Sequence, residues 1–383
     1  MSKKEVNVMY SRYLITGATG FLGRAVTKEL LKGNGKISAL VLENDKLNDS
    51  LPPDVNVVKG DVCSEAALEK FFEGAGGDTC VIHCAGIVSV ASNPGKKIYD
   101  VNVGGTQNII KQCISHSVGK LIYVSSVHAI PEKKKGVPMD EVCEFSPTFV
   151  HGDYAKSKAA ATIAVLDAAK RGLNVNVVFP SGIIGPEDGQ CGSITNMLIL
   201  FLKGKLPVAV RGGYDFVDVR DVAKGIVSCA ENGKNGKCYI LSGHYASVKD
   251  ILNEVKRLSG IKRTVLYLPS GIAKMISYAF EKSCLKHNKP LYFTPYSIDV
   301  LRSNALFLRK NAEEDLDYSP RSIAETLRDT LLWINNSDMV SHKHKKRAVP
   351  TRKKQCGFAN KLTNKNELLY NIIRKRNTKN EKY

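Results

Sequence analysis

The stretch RYLITGATGFLGRAVTKELLKG, residues 12–33, gives the strongest indication of the fold. It runs from a short apolar, β-rich segment through a glycine-rich turn into a segment of helix-forming residues. Such a turn lets the backbone approach a pyrophosphate closely, and the N-terminus of the helix offers free N–H groups and the positive end of its dipole. A glycine-rich turn between a strand and a helix therefore predicts a dinucleotide-binding site. The candidate cofactor residues of this turn are Gly17, Gly20, Phe21, Leu22 and Gly23.

The same strand-then-helix unit recurs through the first half of the chain. Strands that are apolar on both faces are typical of a parallel sheet with helices on each side. Repeated units of this length predict an α/β protein with a Rossmann-type sheet that is parallel, right-handed and doubly wound. The six predicted strands are RYLITG, KISALVL, VNVVKGD, TCVIHCAG, KLIYVSS and LNVNVVFP.

The chain divides into three parts by composition. Residues 1–180 are expected to form the NAD(P)-binding Rossmann domain. The sequence then becomes rich in Gly and Pro before it mixes helices with short strands, which indicates a smaller C-terminal substrate-binding domain over residues 181–335. Residues 336–383 form a basic tail with fourteen Lys and Arg against three Asp and Glu, so the tail carries more than half of the net charge of +19.

Several interpretations of the tail stay open. Its basic residues are compatible with contact to RNA or to an anionic membrane surface. The segment NELLYNIIRKR, residues 366–376, is compatible with an interfacial amphipathic helix or with a helix that docks on the body. A solvated, partly disordered extension is the interpretation that the composition favours. No basic surface interleaved with aromatic residues and no known nucleic-acid module supports a nucleic-acid partner.

The cysteines and the N-terminus indicate a cytoplasmic protein without a metal centre. The ten cysteines form no CxxC pair, and no Cys/His spacing is typical of zinc, so we expect free thiols in a reducing compartment. No apolar run reaches the roughly eighteen residues needed to span a bilayer. The N-terminus lacks the apolar core and cleavage site of a signal peptide.

An acidic residue after the second strand favours NAD as the cofactor. Glu43 lies twenty residues after Gly23, where a carboxylate would hydrogen-bond the hydroxyls of the adenosine ribose. No arginine stands there to bind a 2′-phosphate, although Arg24 and Lys46 are near enough in sequence to keep NADP open. Further candidate cofactor residues follow the third and fourth strands: Asp61, Val62, Ala85 and Gly86.

A serine-tipped strand and a helix with YxxxK spacing supply the candidate catalytic residues. Ser125 and Ser126 end the fifth strand, at the edge where ligands of an open parallel sheet bind. Tyr154 and Lys158 lie at i and i+4 on the next helix and share one face. Hydride transfer at a carbon needs a proton at the attached oxygen, and a nearby ammonium lowers the tyrosine pKa from its free value of about 10. A serine hydroxyl can hold the substrate oxygen in place.

Together, TGATGFLG, YVSS and YAKSK resemble the extended short-chain dehydrogenase/reductase family. That family includes NAD-dependent epimerases and dehydratases of sugar nucleotides, and dihydroflavonol-4-reductase-like and 3β-hydroxysteroid-dehydrogenase-like enzymes. The resemblance covers residues 12–335 and implies Ser126 as the catalytic serine, Tyr154 as the general acid/base and Lys158 as its partner. Further cofactor-pocket residues by this resemblance are Asn102, Pro180 and Ile183. A helix asparagine bonded to backbone is the alternative interpretation of Asn102.

Departures from the sugar-nucleotide pattern indicate the branch of the family. VFPSGIIGP has no asparagine where many sugar-nucleotide enzymes have one, and YDFVDVRDVAKG has Tyr214 and Asp218 in place of a basic residue and a histidine. We therefore expect an NAD(P)-dependent oxidoreductase that interconverts an alcohol and a ketone or aldehyde in a small-molecule substrate. A nucleotide-sugar epimerase or dehydratase, and a non-catalytic NAD(P)-binding regulatory protein, are the alternatives.

Two further expectations concern the surroundings of the pocket. His128 and Phe149 belong to a loop over the pocket, where packing or solvent exposure is the alternative to substrate contact. By analogy with relatives, the helices around residues 96–116 and 150–171 are candidates for a homodimer interface.

Overall fold

The computed structural model describes residues 10–45, 47, 51–92, 95–141, 144–287, 289, 291–337 and 339. Within them the chain forms twelve strands and twelve helices. The strands are β1 Arg12–Thr16, β2 Lys36–Val41, β3 Val55–Lys59, β4 Thr79–His83, β5 Lys120–Val124, β6 Val175–Pro180, β7 Gly182–Ile184, β8 Val208–Val210, β9 Gly213–Asp218, β10 Cys238–Leu241, β11 His244–Ser247 and β12 Leu266–Leu268.

The helices alternate with the strands in the first half and dominate the second. They are α1 Phe21–Leu30, α2 Glu65–Phe71, α3 Lys97–Tyr99, α4 Thr106–Ser115, α5 Asp153–Lys170, α6 Ser193–Lys203, α7 Val219–Asn232, α8 Val248–Ser259, α9 Ser270–Lys286, α10 Pro295–Val300, α11 Lys310–Leu316 and α12 Ile323–Asn336. A π-helical segment, Asp100–Gly105, joins α3 to α4 without a break.

Seven strands form one sheet in the order β10-β6-β5-β4-β1-β2-β3, and every neighbouring pair is parallel. The six strands predicted from the sequence all lie in this sheet. The order runs outward in both directions from β1 and β4, which is the doubly wound arrangement. The predicted Rossmann-type α/β fold class is confirmed.

Both faces of the sheet are buried under helices, because side chains alternate along each strand. In β1, Leu14 packs into the core on one face while Tyr13 and Ile15 pack into the core on the other. Helices α1 and α7 pack against each other on the Ile15 side. Helices α4 and α5 cover the opposite face. The carboxyl ends of the strands are left open between these layers, and they hold the candidate site.

The second part of the chain builds a smaller assembly beside this open edge. Strands β11, β9 and β7 form a three-stranded sheet, and β12 pairs with β8. Strand β10, however, joins the large sheet beside β6, so the chain returns to the Rossmann sheet after residue 180. The division at residue 180 stays a prediction, and nearly all of the predicted tail lies outside the described residues.

Other expectations concern cysteines and membrane spans. The eight cysteines in the described part of the chain lie outside any disulfide. In the described part of the chain, no helix combines the length and apolar character needed to cross a bilayer. The cytoplasmic location and the homodimer stay predictions.

Candidate active site

The glycine turn after β1 has a geometry that only glycine satisfies at two positions. Gly17 has φ +70°, and a Cβ there would lie 2.7 Å from the backbone N of Ala85. A Cβ on Gly23 would lie 2.0 Å from the carbonyl oxygen of Gly17. The close packing of the turn, of the start of α1 and of the loop after β4 therefore depends on these two missing side chains.

The first turn of α1 has the features of an anion-binding site. Gly20 is its N-cap residue, no side chain caps the helix, and the first turn contains no acidic residue. The backbone N–H groups of that turn and the positive end of the helix dipole thus face the glycine turn uncompensated. A cavity of about 620 Å³ begins there and runs along the carboxyl ends of the strands to α5. Its shape and its anion-binding end fit a dinucleotide.

A buried hydrogen-bonded chain holds the loop that faces the glycine turn. His83 ends β4, and its Nδ1 lies 2.7 Å from Thr16 Oγ1 while its Nε2 lies 3.0 Å from Thr106 Oγ1. The N–H of Ala85 donates to the same Thr16 oxygen at 3.2 Å. Burial, with the nearby charge of Lys158, lowers the pKa of His83 to about 3, so the ring is neutral. His83 is therefore a packed, positioning residue beneath the cofactor cavity.

Asn102 braces the same loop from the other side. Its Oδ1 accepts from the N–H of Ile87 at 2.7 Å, and its Nδ2 donates to the carbonyl oxygen of Ile87 at 3.0 Å. Its Nδ2 also lies 3.0 Å from Ser157 Oγ on α5. Asn102 is buried and does not line the cavity, so the structure has the asparagine bonded to backbone, in contact with the elements that form the site.

The carboxylate after β2 that reaches the cavity is Asp45 rather than Glu43. Glu43 is exposed in the turn after β2 and is not among the lining residues, whereas Asp45 is. The hydroxyl of Thr19, in the glycine turn, donates to Asp45 Oδ2. The chain bends back toward the glycine turn two residues beyond Glu43. The spacing from Gly23 selected Glu43 and missed Asp45. The sequence feature that could have indicated Asp45 is a second carboxylate two residues after Glu43.

Strand β5 delivers two serines with different surroundings. Ser125 Oγ lies 2.8 Å from Thr162 Oγ1 on α5, in the protein interior. Ser126 Oγ accepts from the N–H of His128 at 3.3 Å, and its own hydroxyl proton remains for another acceptor. Both residues line the cavity, but only Ser126 is paired with Tyr154 through a hydrogen bond that affects the tyrosine pKa.

Helix α5 places Tyr154 and Lys158 one turn apart in the same cavity. The helix starts immediately after Gly152, which has φ +85° and packs against the ring of Tyr296. Lys158 Nζ donates to the carbonyl oxygen of Val124 at 2.8 Å and lies 5.0 Å from the centroid of the Tyr123 ring. Burial lowers the pKa of Lys158 to about 8. The lysine is thus anchored against the end of β5 beside the tyrosine.

Tyr154 is protonated at neutral pH in this structure. Burial raises its pKa to about 12, and hydrogen bonding with Ser126 offsets part of that increase. The lowering of the Tyr154 pKa by Lys158 that the sequence predicts is not found: burial raises this pKa, and the residue that partly offsets the increase is Ser126. A protonated phenol beside a serine hydroxyl is a proton donor for an oxygen that develops negative charge.

A second cavity, of about 550 Å³, meets the first at Tyr154. Four residues, Val88, His128, Tyr154 and Gly182, line both. Among the described residues that line the second cavity there is no Asp, Glu, Lys or Arg. Its walls are mainly aliphatic and aromatic side chains from α6, β8, β9 and the segment 292–301, including Met197, Leu200, Val210, Phe216, Phe293 and Leu301.

An aromatic cluster forms the floor at which the cavities meet. The ring of His128 stacks on Tyr214 with centroids 5.6 Å apart and planes at 7°. It also lies 6.0 Å from the ring of Tyr154 and 6.2 Å from that of Tyr296. Burial lowers the pKa of His128 to about 4, so this ring is neutral at pH 7. Phe149 is exposed and lines only a neighbouring cavity.

Most of the residues predicted from the sequence converge on one cavity. Those that line it are Gly17, Gly20, Phe21, Leu22, Gly23, Asp61, Val62, Ala85, Gly86, Ser126, Tyr154, Lys158, Pro180 and Ile183. Glu43 and Asn102 are the two that do not. Tyr214 contributes to the apolar wall, while the carboxylate of Asp218 is buried against Arg220 at 2.7 Å and caps α7.

Comparison with known proteins agrees with this geometry. Residues 13–242 match the model of the family described as NAD dependent epimerase/dehydratase. Sterol demethylase protein B of Methylococcus capsulatus is 27% identical over 85% of this chain and 99% of that protein. The decarboxylating sterol-4-alpha-carboxylate 3-dehydrogenase of Schizosaccharomyces pombe is 29% identical over 84% of this chain and 97% of that protein. The crystal structure of gox2253 has a TM-score of 0.74 at 26% identity and covers 86% of this chain and 100% of that one.

These matches confirm the predicted family, the enzyme class and NAD as the family's cofactor. The roles of individual residues stay predictions. The cavity lining, the uncapped α1 and the two obligatory glycines fit the nicotinamide dinucleotide that the family uses.

Proposed function

Because the chain belongs to the NAD-dependent epimerase/dehydratase family, and is an NAD(P)-dependent oxidoreductase of the extended short-chain dehydrogenase/reductase type, we propose that it acts on a bulky apolar alcohol or ketone. A steroid or sterol is the substrate class that fits best. Tyr154 is the proposed general acid/base, Ser126 the group that holds the substrate oxygen, and Lys158 the residue that holds the cofactor ribose.

The observation that carries this proposal is the uncharged cavity that ends at Tyr154. Its volume of about 550 Å³ is in the range of sites that bury a drug-sized ligand. A sugar nucleotide brings a diphosphate, and burying two phosphate charges without a cation among the described lining residues would cost several kcal/mol. A rigid hydrocarbon with one oxygen carries no charge and needs no cation in the cavity wall. The sterol-related names of two relatives support the same class.

The residues at the junction can handle one proton at one oxygen. The Ser126 hydroxyl hydrogen-bonds with Tyr154 in this structure and would turn to the substrate oxygen as donor, while its own oxygen accepts from the His128 N–H. Tyr154, with its pKa raised to about 12 by burial, gives a proton to a carbonyl oxygen as that oxygen gains negative charge. In the opposite direction the same tyrosine takes the proton of the hydroxyl. When bound, NAD exchanges the hydride with the carbon that carries this oxygen.

The remaining residues hold and orient the cofactor. The glycine turn and the first turn of α1 would hold the pyrophosphate, and Asp45 would accept from the adenosine ribose. Lys158, anchored on Val124, would donate to the nicotinamide ribose. Pro180 and Ile183 provide an apolar wall that excludes water from the transfer.

A substrate panel with the purified full chain tests the proposal. Steroids and sterols with a 3-hydroxyl or 3-keto group, small aldehydes, flavanonols and nucleotide sugars are each offered with NAD(H) and NADP(H), and absorbance of the reduced nicotinamide is followed. We expect turnover with the steroid or sterol set and none with nucleotide sugars.

Two results would contradict it. Turnover confined to nucleotide sugars would exclude the apolar substrate class. Protein that carries tightly bound nicotinamide and isomerises its substrate without net change in absorbance would favour the epimerase alternative.

A further inference from the structure

The large apolar residues of helix α9 lie on its exposed side and not on the side that packs against the body. The residues that face the body are small or polar: Ala273, Ser277, Glu281 and Cys284. The exposed side carries the large apolar residues, which are Ile272, Met275, Ile276, Tyr278, Phe280 and Leu285. A surface helix of a water-soluble domain shows the opposite arrangement, with its apolar stripe toward the core. We call these six exposed residues the α9 face.

Six of the sixteen exposed large apolar residues in the described part of the chain lie on α9. Met275 is 71% exposed, and three neighbours, Tyr278, Leu285 and Ile272, are each about half exposed. Leu266, on strand β12 just before the helix, is 62% exposed. A contiguous apolar patch of this kind marks a surface that is covered by something apolar in the working protein.

The α9 face is continuous with the proposed substrate cavity. Ile276 belongs to the face and also lines the cavity. Val88, in the loop after β4, lines the cavity as well and is 72% exposed, so the cavity wall reaches the surface at both residues. An apolar substrate that enters past Ile276 would pass along the α9 face.

Three of the four charged residues of α9 are lysines, and one of them, Lys274, pairs with Asp299 of α10 at 2.7 Å. Lys282 and Lys286 are exposed near its C-terminal end, and Lys289 follows. The only carboxylate of the helix, Glu281, is buried and accepts from the N–H and hydroxyl of Ser92 at 2.7 and 2.8 Å. The exposed side thus combines large apolar residues with lysines and no acidic residue, the composition of helices that lie in the headgroup region of anionic bilayers.

We propose that the α9 face docks on the surface of a lipid bilayer that contains anionic lipids, with the cavity mouth opening into the lipid. The helix has seventeen residues and four charged side chains, so it lies in the interface plane and does not span. The route of substrate from lipid into the cavity rests on the proposed function. The docking itself rests only on the helix.

Vesicle flotation with the full chain tests the docking without any substrate. The vesicles are phosphatidylcholine, alone or mixed with phosphatidylserine. The test variant combines I272S, M275S and F280S, and the control combines V57S and I114S, which change exposed apolar residues on β3 and α4. We expect binding to the mixed vesicles by the wild type and the control, and at least about a tenfold loss in the triple variant.

A second variant, with a single substitution, tests whether the α9 face inserts into the acyl region of the bilayer. Trp333 is the chain's only tryptophan, so wild-type fluorescence gives the background. In M275W, lipids brominated on their acyl chains should quench the added emission, while Trp333 stays unquenched.

Three outcomes would overturn the proposal. One is equal binding by the wild type and the triple variant, with both lost at high salt, which would assign the binding to the basic tail. Another is an M275W signal that brominated lipids do not quench. The third is a dimer in the wild type that becomes a monomer in the triple variant with vesicle binding unchanged, which would show a second copy on the face. A failure of steroid turnover leaves all these readouts unaffected, because none of them uses substrate.

Discussion

Lys158 is a buried ammonium held by a single carbonyl oxygen, and its presence works against the stability of the fold. Burial lowers its pKa from 10.5 to about 8. At pH 7 the charged form is present in the folded state, and its desolvation cost is about 3 kcal/mol at 1.36 kcal/mol per pKa unit. A residue retained at such a cost is best explained by its chemistry beside Tyr154.

Lys158→Met should therefore stabilise the protein while removing its turnover. The lost hydrogen bond to Val124 costs about 1 kcal/mol, so we expect a net gain of about 1–2 kcal/mol in the free energy of unfolding at pH 7. Denaturant melts of both proteins measure it. Between the folded pKa of about 8 and the unfolded value of 10.5 the unfolded wild type binds more protons. Wild-type stability from this group thus rises with pH, and the variant's advantage should shrink above pH 8. A variant less stable than the wild type at pH 7 would contradict this account.

Asp45 and Glu43, two carboxylates in the turn after β2, form a matched pair for a test of cofactor choice. Asp45 lines the cavity and accepts from Thr19, whereas Glu43 points into solvent. Asp45→Asn should weaken the preference for NAD over NADP by about tenfold or more, because a carboxylate repels a 2′-phosphate and accepts from a ribose hydroxyl. Glu43→Gln is the control and should leave the preference unchanged. KM ratios for the two cofactors measure both, and the opposite pattern would restore the role predicted for Glu43.

At the scale of elements, Lys120 joins the start of β5 to the end of α7. It is fully buried, and its Nζ donates to the carbonyl oxygens of Cys229, Ala230 and Gly233 at 2.9, 3.3 and 2.8 Å. The ammonium thus satisfies the last carbonyls of α7 at the negative end of its dipole. It lies at the opposite end of β5 from Ser126, so it serves the packing of the helix on the sheet.

Lys120→Met should destabilise the protein by about 2 kcal/mol. The free-energy cost of leaving the buried carbonyl oxygens without a hydrogen bond is larger than the gain from replacing a buried ammonium with an apolar side chain. Turnover per folded molecule should not change. Lys111→Met, at an exposed lysine paired with Glu65, is the control and should stay within about 0.5 kcal/mol. Thermal or denaturant melts measure both, and equal stabilities would show that α7 does not need this cap.

At the scale of the whole molecule, the sheet and most of the cofactor site were predictable because their signals are local. Apolar strands of five or six residues between helices specify a parallel sheet. The glycine spacing in the turn after β1 indicates the positions, Gly17 and Gly23, at which a side chain would not fit. The placing of Ser126, Tyr154 and Lys158 follows from the rule that ligands bind at the carboxyl ends of strands.

What could not be predicted depends on contacts between distant segments. The return of β10 to the sheet beside β6 is set by packing across some sixty residues of sequence, and β10 is too short to show which sheet it joins. The bend that brings Asp45 to Thr19 follows no periodic pattern. The exposed apolar side of α9 could not be recognised from the sequence, because its apolar residues resemble those of a core helix. Only the structure shows that the small residues Ala273 and Ser277 are the ones that face the body.

Tyr154 is the proposed donor and acceptor of the proton on the oxygen of an apolar substrate, and a comparison of two tyrosine variants tests this role. Tyr154→Phe and Tyr296→Phe each remove one hydroxyl from a ring that borders the substrate cavity. With the steroid found in the panel, we measure turnover and the affinity for reduced nicotinamide cofactor. We predict that Tyr154→Phe lowers turnover by about 10²–10⁴-fold with cofactor affinity nearly unchanged, while Tyr296→Phe keeps most of its turnover. Near-normal turnover by Tyr154→Phe would contradict this role.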